Sequence, residues 1–236
     1  MRKNFKDDFT TELTDLLEFL ARQAGIDLFG VGDVHIGLAK ELAQMPIAIS
    51  LAVHNEDILR NCQGINYYHY QQSSIDNKLE SAQKLLVRFL RQKNYRAFAI
   101  PPDSDKMDNH LASRLFHLFP HKTAATCSGL GWIGKNGLLI NQKYGPCLGW
   151  ATVLTNAPLR VTSQPYHKGQ CGKCRKCVDA CPAKAIRDWE WVREQENTFH
   201  IDVERCMKQL EQNRRLYGEA FCGQCVINCL RQRELN

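Results

Sequence analysis

No stretch of the 236-residue sequence approaches the roughly 20 consecutive apolar residues that a bilayer-crossing helix needs; the longest runs are short ones such as Ile47 to Val53 and Leu148 to Leu154. A membrane is therefore not an expected partner. Repeats of fixed period and low-complexity tracts are lacking too, which argues against solenoids and linker-like chains. The residues from Met1 to Asp8 lead into an acidic amphipathic segment, not into the unbroken apolar core of a secretory signal, so the cytoplasm is the expected location. There is no basic arm and no RNA-binding motif. The formal charge of +6 counts every cysteine as a neutral thiol. Cysteines bound as thiolates would lower it, so basicity says little about a nucleic-acid partner.

What is present is enough apolar sequence, 44% of residues, for one large domain and a small one. Phe9, Leu13, Leu16, Leu17 and Leu20 recur at helical spacing and Gly25 follows as a stop, predicting a first helix over 9–24. Leu79, Leu86 and Leu90 mark the face of another over 75–92. Short apolar runs over 26–31, 47–53, 96–100, 138–140 and 148–154, bounded by Gly, Pro, Asn or His, read as strands, and 121–127 reads as helix. This alternation implies an α/β layer structure. The pattern breaks over 160–169, where Pro165, Gly169 and polar residues replace it. The expected organisation is an α/β domain over 1–164, then a small ferredoxin-like α+β domain over 165–236.

Eleven cysteines in a reducing compartment point to metal or redox chemistry rather than a disulfide scaffold. Cys62, Cys127 and Cys147 are scattered and read as small buried groups, although Cys127 and Cys147 flank a glycine-rich segment and could line a cofactor cavity. The other eight crowd into the last quarter. Cys171, Cys174, Cys177 and Cys181 form C-x-x-C-x-x-C-x-x-x-C-P, the bacterial ferredoxin run, in which closely spaced thiolates grasp irons of one cube and the fourth cysteine serves a second. Cys206, Cys222, Cys225 and Cys229 complete a second set. The ferredoxin exchange of ligands assigns Cys171, Cys174, Cys177 and Cys229 to one 4Fe-4S cluster, and Cys181, Cys206, Cys222 and Cys225 to the other. Tetrahedral zinc also uses C-x-x-C pairs but is hard to fit to this three-cysteine run. Two adjacent cubes make an electron wire, and the long segment before them should hold what receives the electrons.

Upstream, Gly129, Gly131 and Gly134 match a dinucleotide fingerprint by letter. A helix precedes them and a strand follows, the reverse of the order a dinucleotide site needs. The glycines instead allow backbone to approach a flat ligand or a neighbouring element, with Trp132 as a stacking face and Lys135 as an anion partner; a glycine-rich turn packed in a core is the equal alternative. The aromatic and polar run from Asn66 to Tyr70 suits a pocket wall or an amphipathic helix start.

The order Gly-Leu-Gly-Trp-Ile-Gly-Lys from Gly129, Tyr144-Gly-Pro, Ala151-Thr-Val-Leu-Thr and the two cysteine sets resembles the catalytic core of epoxyqueuosine reductases, clearly over 115–230 and loosely before. The resemblance implies a cobalamin-binding α/β domain, related also to reductive dehalogenases, fused to a two-cluster ferredoxin domain. It implies two 4Fe-4S clusters and cobalamin as cofactors, with Gly129, Gly131, Trp132, Gly134, Lys135, Asn136 and Leu138 toward the corrinoid. A low-potential donor such as ferredoxin or flavodoxin would supply the electrons. In that family the reaction removes an epoxide oxygen from a modified base in tRNA. This chain resembles a short form without the family's C-terminal helical-repeat extension, which puts tRNA in doubt and leaves a small or nucleoside-like substrate. The family's upstream acidic residue is missing from the stretch Leu115 to Lys122, leaving His117 and His121 as candidate proton donors. Cys229 is followed by Leu230 where the family has Pro. An electron-transfer or activation protein with no substrate of its own is the alternative function.

Overall fold

The computed structural model describes residues 2–55, 65–102, 119–195, 201–218 and 220–229, which divide into two compact units. The first comprises Met1–His54, Gln72–Leu130 and Gly149–Pro165. Its opening helix α1 (Arg2–Gln23) buries Leu13, Leu17 and Ala21, spaced four apart on one face. Gly25, in the left-handed region at φ 84°, stops it: the Ile26 amide donates back to the Ala21 carbonyl at 3.1 Å and the Gly25 amide to Arg22 at 3.0 Å. Strands β1 (Leu28–Asp33) and β2 (Ile47–His54) pair antiparallel, with Val31 opposite Ile49. Helix α2 (Ile65–Gln92) follows, then β3 (Ala97–Ile100) and helix α3 (His121–Cys127). Strand β6 (Leu148–Thr155), which comes after the hairpin described below, pairs antiparallel with β3 and completes a sheet of order β1-β2-β6-β3.

Alternation along these strands feeds two cores, one on each face of the sheet. Ile49, Leu51 and Val53 of β2 join Ala151 and Val153 of β6 under α1 and α2, where Ile75, Leu79, Ala82, Leu86 and Leu90 face inward. The intervening Ala48 and Leu154 join Ile100, Phe119 and Ala124 on the opposite face, where α3 packs. Buried Gln83 ties α2 to the sheet by donating to the carbonyls of Ile100 at 2.5 Å and Thr152 at 2.8 Å.

The second unit comprises Asn55–Gln71, Gly131–Leu148 and Tyr166–Asn236. The first unit ends at Pro165, and the 131–148 segment groups with the cysteine-rich region. Its short strands β4 (Trp132–Ile133) and β5 (Leu139–Ile140) form an antiparallel hairpin. Three helices follow: α4 (Lys176–Ala180), α5 (Val203–Tyr217) and α6 (Gln224–Ile227). The Asp202 carboxylate caps α5 by accepting from the Arg205 amide at 3.0 Å, and Gly218 ends it at φ 84°. Among the described residues no helix is long and apolar enough to cross a membrane.

Candidate metal centre and the hairpin that braces it

The first cysteine run folds as a tight turn and a single short helix. Gly172 adopts φ 55°, the Cys174 amide closes onto the Cys171 carbonyl at 3.1 Å, and α4 carries Cys177 toward Cys181. The Cys181 sulfur accepts the Ala185 amide at 3.3 Å, an N–H···S contact of the kind that tunes a cluster thiolate. Cys206 lies on α5, and Cys225 on α6 after Gly223, whose φ is 66°.

The thiols feel one another. Burial pushes the Cys177 thiol up to about 11, with Cys171 and Cys174 adding to it. Burial likewise pushes Cys225 up to about 11, with contributions from Cys222, Cys177 and Cys206. Cys206 is raised by burial and then by Cys181 and Cys222. Thiolates crowded in this way repel unless a cation sits among them, and a donor set made wholly of cysteine fits iron-sulfur cores. Cys177 neighbours Cys171 and Cys174, Cys206 neighbours Cys181 and Cys222, and Cys225 neighbours Cys222, Cys206 and also Cys177 of the first run. Among the described residues no three His, Cys, Asp or Glu side chains converge on a point for one metal ion; a cube takes one thiolate per iron.

The glycine-rich segment stands against this cysteine region. Lys135 is 5% exposed, and its ammonium donates to the carbonyls of Gly172 at 2.7 Å and Cys174 at 3.1 Å and pairs with the Asp188 carboxylate at 2.7 Å. Asp188 also pairs with Arg175, and the Lys135 hydrogen bond holds its carboxyl below the ordinary range. Glu190 accepts from the Gly172 amide at 2.7 Å. Buried Asn136 donates to the Cys225 carbonyl at 3.1 Å and accepts from the Leu138 amide at 3.2 Å. Trp132 is buried, its ring 5.6 Å from that of Tyr166.

The missing side chains at the three glycines make room for protein. A Cβ on Gly129 would meet the Gln164 carbonyl oxygen at 2.9 Å, one on Gly131 the Ile140 carbonyl oxygen at 2.4 Å, and one on Gly134 the Ile140 side chain at 2.8 Å. The sequence reading turned these residues toward a corrinoid; in the structure they and Leu138, whose carbonyl accepts the Gly134 amide at 2.8 Å, serve neighbouring backbone, and Lys135 and Asn136 serve the cysteine loops. This engagement of the hairpin by the cysteine loops was missed at the level of sequence, because the acceptors are backbone carbonyls far along the chain.

Of the two candidate proton donors, His117 lies outside the described residues. His121 is buried in the first unit, its Nδ1 2.8 Å from the Thr152 hydroxyl and its Nε2 2.7 Å from the Pro101 carbonyl oxygen, contacts that join α3 to the sheet. Cys147 is buried and Cys127 half-buried; Cys62 lies outside the described residues. The backbone of 66–70 is helical, within α2.

Residues 170–232 match the 4Fe-4S dicluster domain family. A tetrachloroethene reductive dehalogenase of Desulfitobacterium hafniense is 30% identical over 222 residues, covering 87% of this chain and 36% of its own. An epoxyqueuosine reductase of Atelocyanobacterium thalassa (isolate ALOHA) is 42% identical over 86 residues, 36% of this chain and 25% of its own. The chain thus spans well under half the length of these curated relatives. Among solved structures, a reductive dehalogenase for which a mechanism of B12-dependent dehalogenation has been suggested superposes with a TM-score of 0.68 at 18% identity, covering 93% of this chain and 32% of that one, which shows a shared fold.

Proposed function

We propose that this chain, a relative of epoxyqueuosine reductases and reductive dehalogenases that carries a 4Fe-4S dicluster domain, is a corrinoid-dependent reductase acting on a small or nucleoside-like substrate. One observation carries the reading: the likeness to a reductive dehalogenase runs over 222 residues and so takes in the α/β unit as well as the cysteines. A carrier that only relayed electrons would have no need to keep that unit. Eight cysteines in two four-ligand sets would hold the cubes, with a low-potential donor such as ferredoxin or flavodoxin feeding them. Cobalamin, when bound, would supply the reducing chemistry, and the protein the binding, orientation and exclusion of water. Lys135 and Asn136 are engaged with the cysteine loops, and Gly129, Gly131 and Gly134 leave room for neighbouring protein.

The second reading is an electron-transfer or activation protein with no substrate of its own. What favours it is that same engagement, together with His121, whose two ring nitrogens are both held by protein partners. Anaerobic reconstitution followed by cobalamin addition separates the two. The reductase reading expects close to about eight irons and eight sulfides per chain, and corrinoid absorbance that co-elutes with the protein. Full iron with no retained corrinoid would leave the electron-transfer reading; stoichiometric zinc without sulfide would end both.

A further inference from the structure

We propose that Lys135 is a positioning residue for the cluster held by Cys171, Cys174 and Cys177, and that its buried ammonium raises the reduction potential of that cluster. The inference rests on the iron-sulfur part of the functional reading and not on the corrinoid.

An ammonium has three N–H donors and no acceptor. At Lys135 three acceptors are at hand: the Gly172 carbonyl at 2.7 Å, the Cys174 carbonyl at 3.1 Å and the Asp188 carboxylate at 2.7 Å. A lysine only 5% exposed is uncommon unless it is paired in this way. Two of the three acceptors are main-chain atoms of the cysteine loop itself, on either side of Lys173, so the cation fixes the path of the chain from Cys171 to Cys174. The loop is gripped from two further sides, with the Gly172 amide donating to Glu190 and Arg175 paired with Asp188. Asn136, the next residue, reaches the other cysteine set through the Cys225 carbonyl. Adjacent residues of one hairpin therefore hold backbone of both motifs.

Charge gives the second half of the proposal. Reducing a cube adds a negative charge, which a nearby cation favours. The charged groups around the loop are Lys135, Lys173, Arg175, Lys176, Asp179, Asp188 and Glu190, with Asp179 pairing with Arg175 as Asp188 does. Arg175 is 51% exposed, so water and salt screen it, whereas Lys135 acts through protein. The two cations should accordingly differ in effect although both contact Asp188.

The experiment compares the reconstituted parent with Lys135→Met, Asp188→Asn and Arg175→Met, reading iron and sulfide per chain and the couples resolved by EPR-monitored redox titration. The couple belonging to the first motif is the one lost in Cys174→Ser. Lys135→Met is expected either to lose that cluster selectively, leaving about four irons, or to load it with a more negative couple. Asp188→Asn should shift the same couple the opposite way, and Arg175→Met should shift it less than Lys135→Met. A packing role alone would not give shifts of opposite sign. Parental iron with parental couples in Lys135→Met, equal loss of both clusters, or same-sign shifts in the lysine and aspartate variants would overturn the proposal. A parent that binds no iron would instead overturn the cluster reading beneath it.

Discussion

Gly32 sits on β1 where an added Cβ would lie 2.6 Å from the Cys127 carbonyl carbon and 2.7 Å from the Ser128 nitrogen, so β1 and the end of α3 approach too closely for any side chain. Gly25 has open space around it but a φ of 84°. The two glycines are needed for different reasons, and substitution should separate them. Gly32→Ala is expected to cost about 1–3 kcal/mol by overpacking, and Gly25→Ala about 1 kcal/mol by left-handed strain alone. Denaturant unfolding would measure both, with iron content unchanged because both lie in the first unit. Gly131→Val belongs to neither kind. Its side chain would strike the Ile140 carbonyl oxygen at 2.4 Å and open the hairpin that presents Lys135 and Asn136. Iron should therefore fall in Gly131→Val; full iron content would show that the hairpin does not brace the clusters.

Among the elements, Gln83 does what no apolar residue of α2 can. Its amide donates to carbonyls on two paired strands, Ile100 of β3 and Thr152 of β6. Gln83→Leu keeps the volume but leaves two buried carbonyls without that donor, an expected loss of about 1–3 kcal/mol. A thermal midpoint equal to the parent's would show that the bonds contribute nothing net. The helix itself was legible in the sequence because Leu79, Leu86 and Leu90 keep a helical period into one core. The strands over 47–53 and 148–154 were legible as apolar runs buried on both faces. Strand β4 and helices α4, α5 and α6 were not read. Strand β4 is two residues long, too short for any alternation to register. Helix α5 carries Val203, Met207 and Leu210 at helical spacing but buries no residue, leaving Val203 and Met207 exposed. The cysteine sets could be read because their spacing is local. The task of Lys135 could not, because the Gly172 and Cys174 carbonyls lie 37 and 39 residues further on and any residue type would supply them.

At the scale of the whole molecule, the two units differ in what holds them. The first has two apolar cores on a four-stranded sheet. Among the described residues, the second has helices of 5, 15 and 4 residues with no buried residue on any of them, and its buried apolar side chains are few, Ala185 and Ile186 beside Trp132, Leu139, Ile140 and Cys147. Helices this short do not persist on propensity, and so small a core leaves the iron-thiolate bonds to supply much of the folding free energy. Removing iron with a chelator under reducing conditions should then unfold the second unit while the first stays native. The segment 131–148 decides how far this reaches. If the chain were two consecutive domains cut at 164/165, its amides would stay protected with α2 and β2. Because Trp132, Lys135 and Asn136 are held by Tyr166, the first cysteine loop and Cys225, the hairpin should instead lose its partners when the loops melt. Hydrogen exchange by mass spectrometry on chelated protein is expected to show 131–148 and 166–229 losing protection together, with β2 and the 75–92 part of α2 unchanged. Protection retained over 131–148 while 166–229 exchanges freely would return the hairpin to the first unit and restore the simple boundary.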